Sequence, residues 1–176
     1  MSNRAKSRIS LRLMVVVALL TAMQIIFSRL LSYSVWNMKI GLAFVPVMLA
    51  GMVFGPLAGA LVGGLSDFIG ALLFPIGPYF PGFTLTAALT GAMFGWVLHK
   101  RQHFGRVCGV VLFNQLVLGL LVNSFWISVL YGSSYTGLLL SRLLQYAILV
   151  PIEVIITWIF VRALTPVKSQ LGWKNQ

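Results

Sequence analysis

Long apolar segments with almost no charge inside them constrain the fold of this chain more than any other feature. Only 9% of its residues are charged and 59% are hydrophobic, whereas about a quarter of the residues of a soluble domain are charged. A bilayer core of about 30 Å requires about 20 apolar residues per helix. The 176 residues therefore predict an all-α membrane protein with six transmembrane helices in one domain, residues 1–176.

Glycine, proline and polar residues divide the apolar sequence into six helical segments. Gly55-Pro56 separates the second segment from the third, three prolines separate the third from the fourth, and HKRQHFGR separates the fourth from the fifth. Proline lacks an amide N–H and glycine adopts backbone angles that other residues avoid, so both mark helix ends. The predicted helices are about 11–32, 40–54, 57–73, 82–99, 107–131 and 138–164.

Basic residues are concentrated at one set of helix ends. The net charge of +11 would indicate a nucleic-acid partner in a soluble protein, but lysine and arginine also accumulate in the cytoplasmic loops of membrane proteins. The sequence therefore predicts a chain in a lipid bilayer, without a nucleic-acid partner and with both termini cytoplasmic. The external linkers would be 33–39, 74–81 and 131–137. The basic residues on the predicted cytoplasmic side are Arg4, Lys6, Arg8, Arg12, Lys100, Arg101, Arg106, Arg162, Lys168 and Lys174.

The segment FPIGPYFPGFT, residues 74–84, contains three prolines and four aromatic residues. Aromatic side chains at this depth often form an interfacial belt, but a belt does not require prolines, which lower the entropy cost of ordering a loop. The segment therefore predicts a rigid aromatic lid over a cavity. The candidate aromatic residues around that cavity are Tyr33, Trp36, Phe74, Tyr79, Phe83 and Trp126.

Four ionisable residues lie inside predicted helices, at a cost of about 2.5–3.5 kcal/mol each. They are Arg29, Asp67, Arg142 and Glu153, and the two acids are the only ones in the chain. Lys39, at the start of the second helix, would extend its ammonium group to the membrane–water interface.

Two interpretations of these charges stay open. Each acid could pair with an arginine and hold the bundle together, which is the favoured interpretation for Glu153. Alternatively, the three charges of the outer half, Asp67, Arg29 and Arg142, could line a polar pocket under the lid. The number of outer charges favours a pocket for a flat heteroaromatic molecule with an anionic tail. Its polar neighbours would be Thr84, Thr86, Asn123, Ser124 and Gln145.

Several functional classes lack their required motifs. No G-x-x-x-x-G-K-[ST] phosphate loop is present, so this chain would not hydrolyse ATP itself. His99 and His103 form a lone pair among basic residues, where a metal ion would be repelled. Both histidines also lie far from Asp67 along the predicted helices, so no catalytic set forms. The sequence therefore predicts neither an enzyme nor a bound metal or cofactor.

Three segments carry a resemblance to a known family. They are the AxxxA of Ala18 and Ala22, the stretch GPLAGALVGGLSDFIGALLFPIGPYFPGFTLTAALTGAMFGW at 55–96, and NSFWISVLYGSSY at 123–135. With them the chain resembles the substrate-binding S components of energy-coupling factor (ECF) vitamin transporters, and the central stretch resembles the folate-specific member.

That resemblance implies a function and a set of partners. The chain would bind a vitamin from outside in a pocket closed by its external linkers. It would act in a bacterial cell membrane with a transmembrane coupling protein (the T component) and two cytoplasmic ATPases. The coupling protein would dock at Ala18 and Ala22. A carboxylate accepts a paired N–H and amine well, so Asp67 would bind the pterin of folate. Arg29, Lys39 or Arg142 would bind the glutamate tail.

Other functions remain open from the sequence. An S component for riboflavin or thiamine would share the architecture, although three outer cations against one acid favour an anion. A small proton-coupled exporter would use Glu153 as its proton carrier and would need no ATPase. A structural subunit without a ligand would leave the buried charges and the proline-rich linker unexplained.

Overall fold

A computed structural model of the chain describes residues 11–35 and 38–170. Six helices make up most of this described part, in agreement with the predicted all-α class. They are α1 (Leu11–Arg29), α2 (Phe44–Phe54), α3 (Pro56–Leu73), α4 (Pro81–Leu98), α5 (Phe104–Tyr131) and α6 (Tyr135–Gln170).

Four of these helices are long and apolar enough to cross a membrane: Pro56–Leu73, Pro81–Leu98, Phe104–Tyr131 and Tyr135–Leu164. The apolar part of α1, Leu13–Arg29, and the helix α2 are shorter than these four spans. The 11 residues of α2 extend about 16 Å at 1.5 Å per residue, which is about half the thickness of a bilayer core. The described residues thus form a multi-pass membrane protein.

A small β-hairpin occupies the linker between α1 and α2, where the sequence predicted no strand. Its strands are β1 (Tyr33–Val35) and β2 (Met38–Ile40), which pair antiparallel. A Cβ added to Gly41 would lie 2.8 Å from the Cβ of Ser32. The two ends of the linker therefore approach closely, and α1 ends earlier and α2 begins later than the hydropathy pattern indicated.

Glycines bring α3 and α4 into backbone contact. A Cβ on Gly59 would collide with the carbonyl group of Gly91, and a Cβ on Gly63 with that of Ala87. Small residues at intervals of four let two helices approach this closely inside a membrane. The small-residue stripes of α3 and α4 therefore serve internal packing.

The hydrophobic core is concentrated near the end of the molecule that holds the α2–α3 and α4–α5 connections. Met48 and Met52 of α2, Phe94 and Leu98 of α4, and Val161 of α6 are almost completely buried there. The ring of Phe104 packs edge-on against Trp158 at this end, with centroids 5.3 Å apart. Polar side chains instead gather at the opposite end, called here the site end.

The site end comprises the C-terminal halves of α1, α3 and α5 together with the N-terminal halves of α4 and α6. Side-chain contacts connect these five helix ends: Arg29 of α1 faces Asp67 of α3, and Trp126 of α5 donates to Thr86 of α4. Arg142 of α6 completes the set by donating to α5. The helices therefore alternate in direction, as the short connections require.

The middle of α5 is a π-helical segment, Phe113–Val122. Such segments place the backbone hydrogen bond five residues back instead of four, and they occur frequently at functional sites. Gln115 lies in this segment.

Candidate functional site

A cavity of about 410 Å³ extends from the site end to the middle of α6, between the base of the hairpin, the start of α2, α5 and α6. Its volume is in the range of pockets that bind small molecules. One side consists of the chain around the hairpin, and the other consists of α5 and one face of α6. The cavity is lined by Ser32, Gly41, Leu42, Ala43, Phe44, Gln115, Asn123, Arg142, Gln145, Tyr146, Leu149, Ile152, Glu153 and Ile156.

Arg142 is the cation of this cavity, and its side chain is 6% exposed. Its Nη1 donates to Ser124 Oγ at 3.0 Å and its Nη2 to Tyr146 Oη at 3.1 Å, while its buried Nε has no partner. Among the described residues, neither acid lies within ion-pair distance of Arg142. The guanidinium group thus keeps an uncompensated positive charge in the cavity wall, which an anionic ligand would neutralise.

Glu153 is the carboxylate of the same cavity and is 2% exposed. Gln115, in the π-helical segment of α5, donates its side-chain amide to Glu153 Oε2. In the part of the chain that the structure describes, no cation pairs with Glu153. Glu153 follows Arg142 by 11 residues on α6, which places it about 16 Å farther along the helix and on the same face.

A second polar cluster, called the α1–α3–α4 cluster, contains Arg29, Asp67, Tyr79 and Thr84. Arg29 Nη2 lies 4.0 Å from Asp67 Oδ1, and Thr84 Oγ1 donates to Asp67 Oδ2 at 2.8 Å. The hydroxyl groups of Thr84 and Tyr79 lie 3.3 Å apart. Both charges of this cluster are therefore compensated, and none of its four residues lines the cavity.

Glycine at position 70 makes room for the arginine of this cluster. A Cβ added there would lie 3.0 Å from Arg29 Nε. The guanidinium group can therefore lie flat against α3, and its distance to Asp67 depends on this small residue.

The aromatic residues of the 74–84 segment pack against the end of α5. The Phe80 ring lies 5.5 Å from the Trp126 ring and 6.1 Å from the Phe83 ring, and Trp126 Nε1 donates to Thr86 Oγ1 at 3.1 Å. Phe74 is 45% exposed. None of these residues lines the cavity, so the aromatic lid stays a prediction.

The structure divides the predicted site residues into groups. Arg142, Asn123 and Gln145 line the cavity, whereas Asp67, Arg29, Tyr79 and Thr84 form the α1–α3–α4 cluster. Phe83 and Trp126 belong to the aromatic packing, and Phe74 is exposed. Tyr33 and Lys39 are described by their backbone only, in the paired strands beside the cavity, and Trp36 lies outside the described residues.

Sequence reasoning did not select Gln115 and Tyr146, and it favoured a structural role for Glu153. A periodic signal was present in the sequence of α6. The residues that line the cavity recur there at intervals of three and four: Arg142, Gln145, Leu149, Glu153 and Ile156. Residues at this spacing share one face of a helix. The cavity-lining face of α6 could have been identified from this pattern.

Ala18 and Ala22, the predicted docking residues, are exposed on α1. Their neighbours on the same side, Val15, Leu19 and Ile26, are exposed as well. This side of α1 is therefore apolar and not covered by another described part of the chain.

Comparison with known proteins adds independent information. The family model described as "ECF transporter, substrate-specific component" matches residues 12–161. The folate transporter FolT of Clostridium novyi (strain NT) is 36% identical over 146 residues, which cover 82% of this chain and 85% of that protein. FolT of Leuconostoc mesenteroides subsp. mesenteroides is 27% identical over 158 residues, covering 86% of this chain and 85% of that protein.

A solved structure resembles the whole fold. The crystal structure of FolT bound with folic acid superposes with a TM-score of 0.83 at 32% sequence identity. The match covers 88% of this chain and 95% of the other.

Proposed function

The chain belongs to the family of substrate-specific components of ECF transporters, and we propose that its substrate is folate. The observation that carries this proposal is a 410 Å³ cavity with an uncompensated buried arginine, in a chain that resembles FolT over nearly its whole length. The family is one of transport components and not of enzymes.

The chemistry of the cavity is compatible with folate. Folate combines flat ring systems with a glutamate tail that carries two carboxylates. Arg142 supplies a cation for the tail, and Asn123 and Gln145 supply polar groups near it. Apolar side chains farther along α6, such as Leu149 and Ile156, supply the contacts that rings require. Riboflavin and thiamine are not favoured, because the named relatives are folate transporters.

We further propose the arrangement of the chain in a bacterial cell membrane. Six membrane-embedded helices would place both termini in the cytoplasm and the site end outside, in accordance with the distribution of lysine and arginine. Folate would then enter from outside, and the linkers 33–39 and 74–81 would close over it. Arg29 remains a candidate for contact with a ligand that reaches beyond the cavity.

Energy for release would come from partner subunits. We propose that a T component and two cytoplasmic ATPases assemble with this chain, because the chain belongs to the family of substrate-specific ECF components. The exposed apolar side of α1 around Ala18 and Ala22 supports a docking role, since small residues allow another helix to approach closely.

Calorimetric titration of the purified chain in detergent tests the substrate. We expect folic acid to bind with nanomolar affinity, or about −12 kcal/mol, and riboflavin and thiamine to bind at least about 100-fold more weakly, a difference of about 2.7 kcal/mol. Equal binding of all three vitamins, or no binding of folic acid to a folded protein, would exclude the proposal.

A further inference from the structure

We propose that Glu153, oriented by Gln115, binds the pterin of folate while Arg142 binds the glutamate tail. This inference rests on the proposed function and adds the orientation of the substrate and a residue that determines its specificity. In this arrangement folate lies along α6, with its tail near the hairpin and its pterin near the middle of the helix.

The first support is the unusual environment of Glu153. An ionisable side chain inside a membrane helix is costly, and such residues mark substrate pathways. Glu153 has no cation partner among the described residues, and its hydrogen-bond donor from the protein is the neutral amide of Gln115. A carboxylate has about four lone-pair sites and Gln115 donates to one oxygen, so Glu153 can accept further donors from the cavity that it lines.

The second support is the chemistry of the pterin ring. Its exocyclic amine and the adjacent ring N–H point in the same direction, and a carboxylate accepts two such parallel donors in a bidentate pair. The amide of Gln115 would hold the carboxylate in position for this pair.

The third support is the order of the groups along the cavity. Arg142 lies at one end, Glu153 lies about 16 Å farther along α6, and Tyr146, Leu149 and Ile152 line the wall between them. Folate has the same order, with carboxylates at one end, apolar rings in the middle and the donor edge of the pterin at the other end.

The other acid of the chain is a weaker candidate for this contact. Asp67 already accepts from Thr84 and faces Arg29, and it does not line the cavity. The carboxyl groups of Asp67 and Glu153 therefore differ in their charged partners and in their contact with the cavity, and the effect of this difference on ligand binding can be measured.

Fragments of folate separate the two ends of the site. Calorimetry on the full chain would compare folic acid, pteroic acid (which lacks the glutamate) and p-aminobenzoylglutamate (which lacks the pterin). Glu153→Gln should weaken folic acid and pteroic acid by about 10- to 100-fold and leave p-aminobenzoylglutamate unchanged. Arg142→Met should weaken folic acid and p-aminobenzoylglutamate and leave pteroic acid unchanged.

Asp67→Asn is the matched control, because it removes the other carboxylate with the same atom exchange. We expect it to leave the affinity ratio of pteroic acid to p-aminobenzoylglutamate as in the wild type. The ratio is measured within one protein sample, so a variant that folds in lower yield still reports it.

Three results would overturn the inference. In the first, Glu153→Gln weakens both fragments equally, which would indicate a structural role. In the second, Asp67→Asn selectively weakens pteroic acid, which would place the pterin at the α1–α3–α4 cluster. In the third, wild-type protein binds no folic acid, which would remove the proposed function itself, whereas the first two leave it intact.

Discussion

The buried charges of this chain are stabilised in two different ways. Arg29 and Asp67 compensate each other, with Thr84 as an additional donor. Arg142 and Glu153 have neutral partners instead, namely a serine, a tyrosine and a glutamine. A paired charge contributes to the integrity of the bundle, whereas a charge with neutral partners in a cavity wall can interact with a ligand.

The hydrogen bond from Thr84 to Asp67 should contribute measurably to stability. Thr84→Val removes the donor and preserves the shape of the side chain, and a bond to a charged group contributes about 1.5–3 kcal/mol when it is buried. Because the Asp67 side chain is 27% exposed, we expect a smaller loss of about 1 kcal/mol in the free energy of unfolding in detergent.

Thr90→Val is the control for this prediction. Thr90 also lies on α4 and donates at 2.9 Å, but its acceptor is the backbone carbonyl group of Thr86. An equal loss in the free energy of unfolding in both variants would show that a hydrogen bond to the Asp67 carboxylate stabilises the protein no more than one to a backbone carbonyl group.

At the level of the elements, the six helices form two unequal groups. The first contains α1 to α4, in which α3 and α4 are in backbone contact along their glycines. The second contains α5 and α6, which contribute the polar face of the cavity. The hairpin belongs to both, because it follows α1 and its strand β2 lies against α6.

The contact between α3 and α4 should not tolerate a single added methyl group. Gly59→Ala would place a Cβ against the carbonyl group of Gly91, and a rigid backbone cannot rotate away as a side chain can. Overpacking of this kind costs about 1–3 kcal/mol. We expect a clear decrease in the thermal unfolding temperature in detergent.

Gly109→Ala on α5 is a suitable comparison, because a Cβ at that position would meet no atom within 4 Å. Alanine is favoured over glycine in a helix by about 0.5–1 kcal/mol, so this variant should unfold at the same temperature or higher. A similar decrease in both variants would contradict close α3–α4 packing as the cause.

On the scale of the whole molecule, the cavity and the proposed docking surface lie on different parts of the fold. The cavity lies between the hairpin, α2, α5 and α6, whereas the exposed apolar side with Ala18 and Ala22 belongs to α1. A substitution on that side should therefore affect assembly with the partners and not the affinity for folate.

Ala22→Trp tests this separation in the complete transporter. A large ring on α1 would keep a partner helix at a distance, so we expect folate uptake to fall by at least about 10-fold, an order-of-magnitude expectation for a blocked close helix contact. Folic acid binding to the isolated chain should not change. Uptake is measured with radiolabelled folate in cells or proteoliposomes that contain all subunits.

Leu144→Trp provides the matched variant, since Leu144 is 75% exposed on α6 and lies away from the proposed docking side. It should preserve uptake. Normal uptake by Ala22→Trp would refute the docking role of α1. Proton-coupled transport by this chain alone, without an ATPase, would support the exporter alternative.

Much of the architecture follows from local properties of the sequence. Six helices were predicted from the length of the apolar segments, the break at Gly55-Pro56 and the prolines of 74–84. Such signals are local in the sequence, because each acts within a few residues. The structure has six helices at these places in its described part. The hairpin was not predicted, because the close approach of Ser32 to Gly41 depends on how α1 and α2 are held by the rest of the fold.

The composition of the cavity depended on the tertiary structure. The sequence indicates how deep along a helix a charge lies. On that basis the sequence analysis placed Arg29, Asp67 and Arg142 in one polar pocket. It does not indicate the rotation of each helix about its axis, which is determined by packing against its neighbours. That rotation turns Arg29 and Asp67 toward each other. It also brings Glu153 of α6 and Gln115 of α5 together in the wall of the cavity, which Arg142 lines as well.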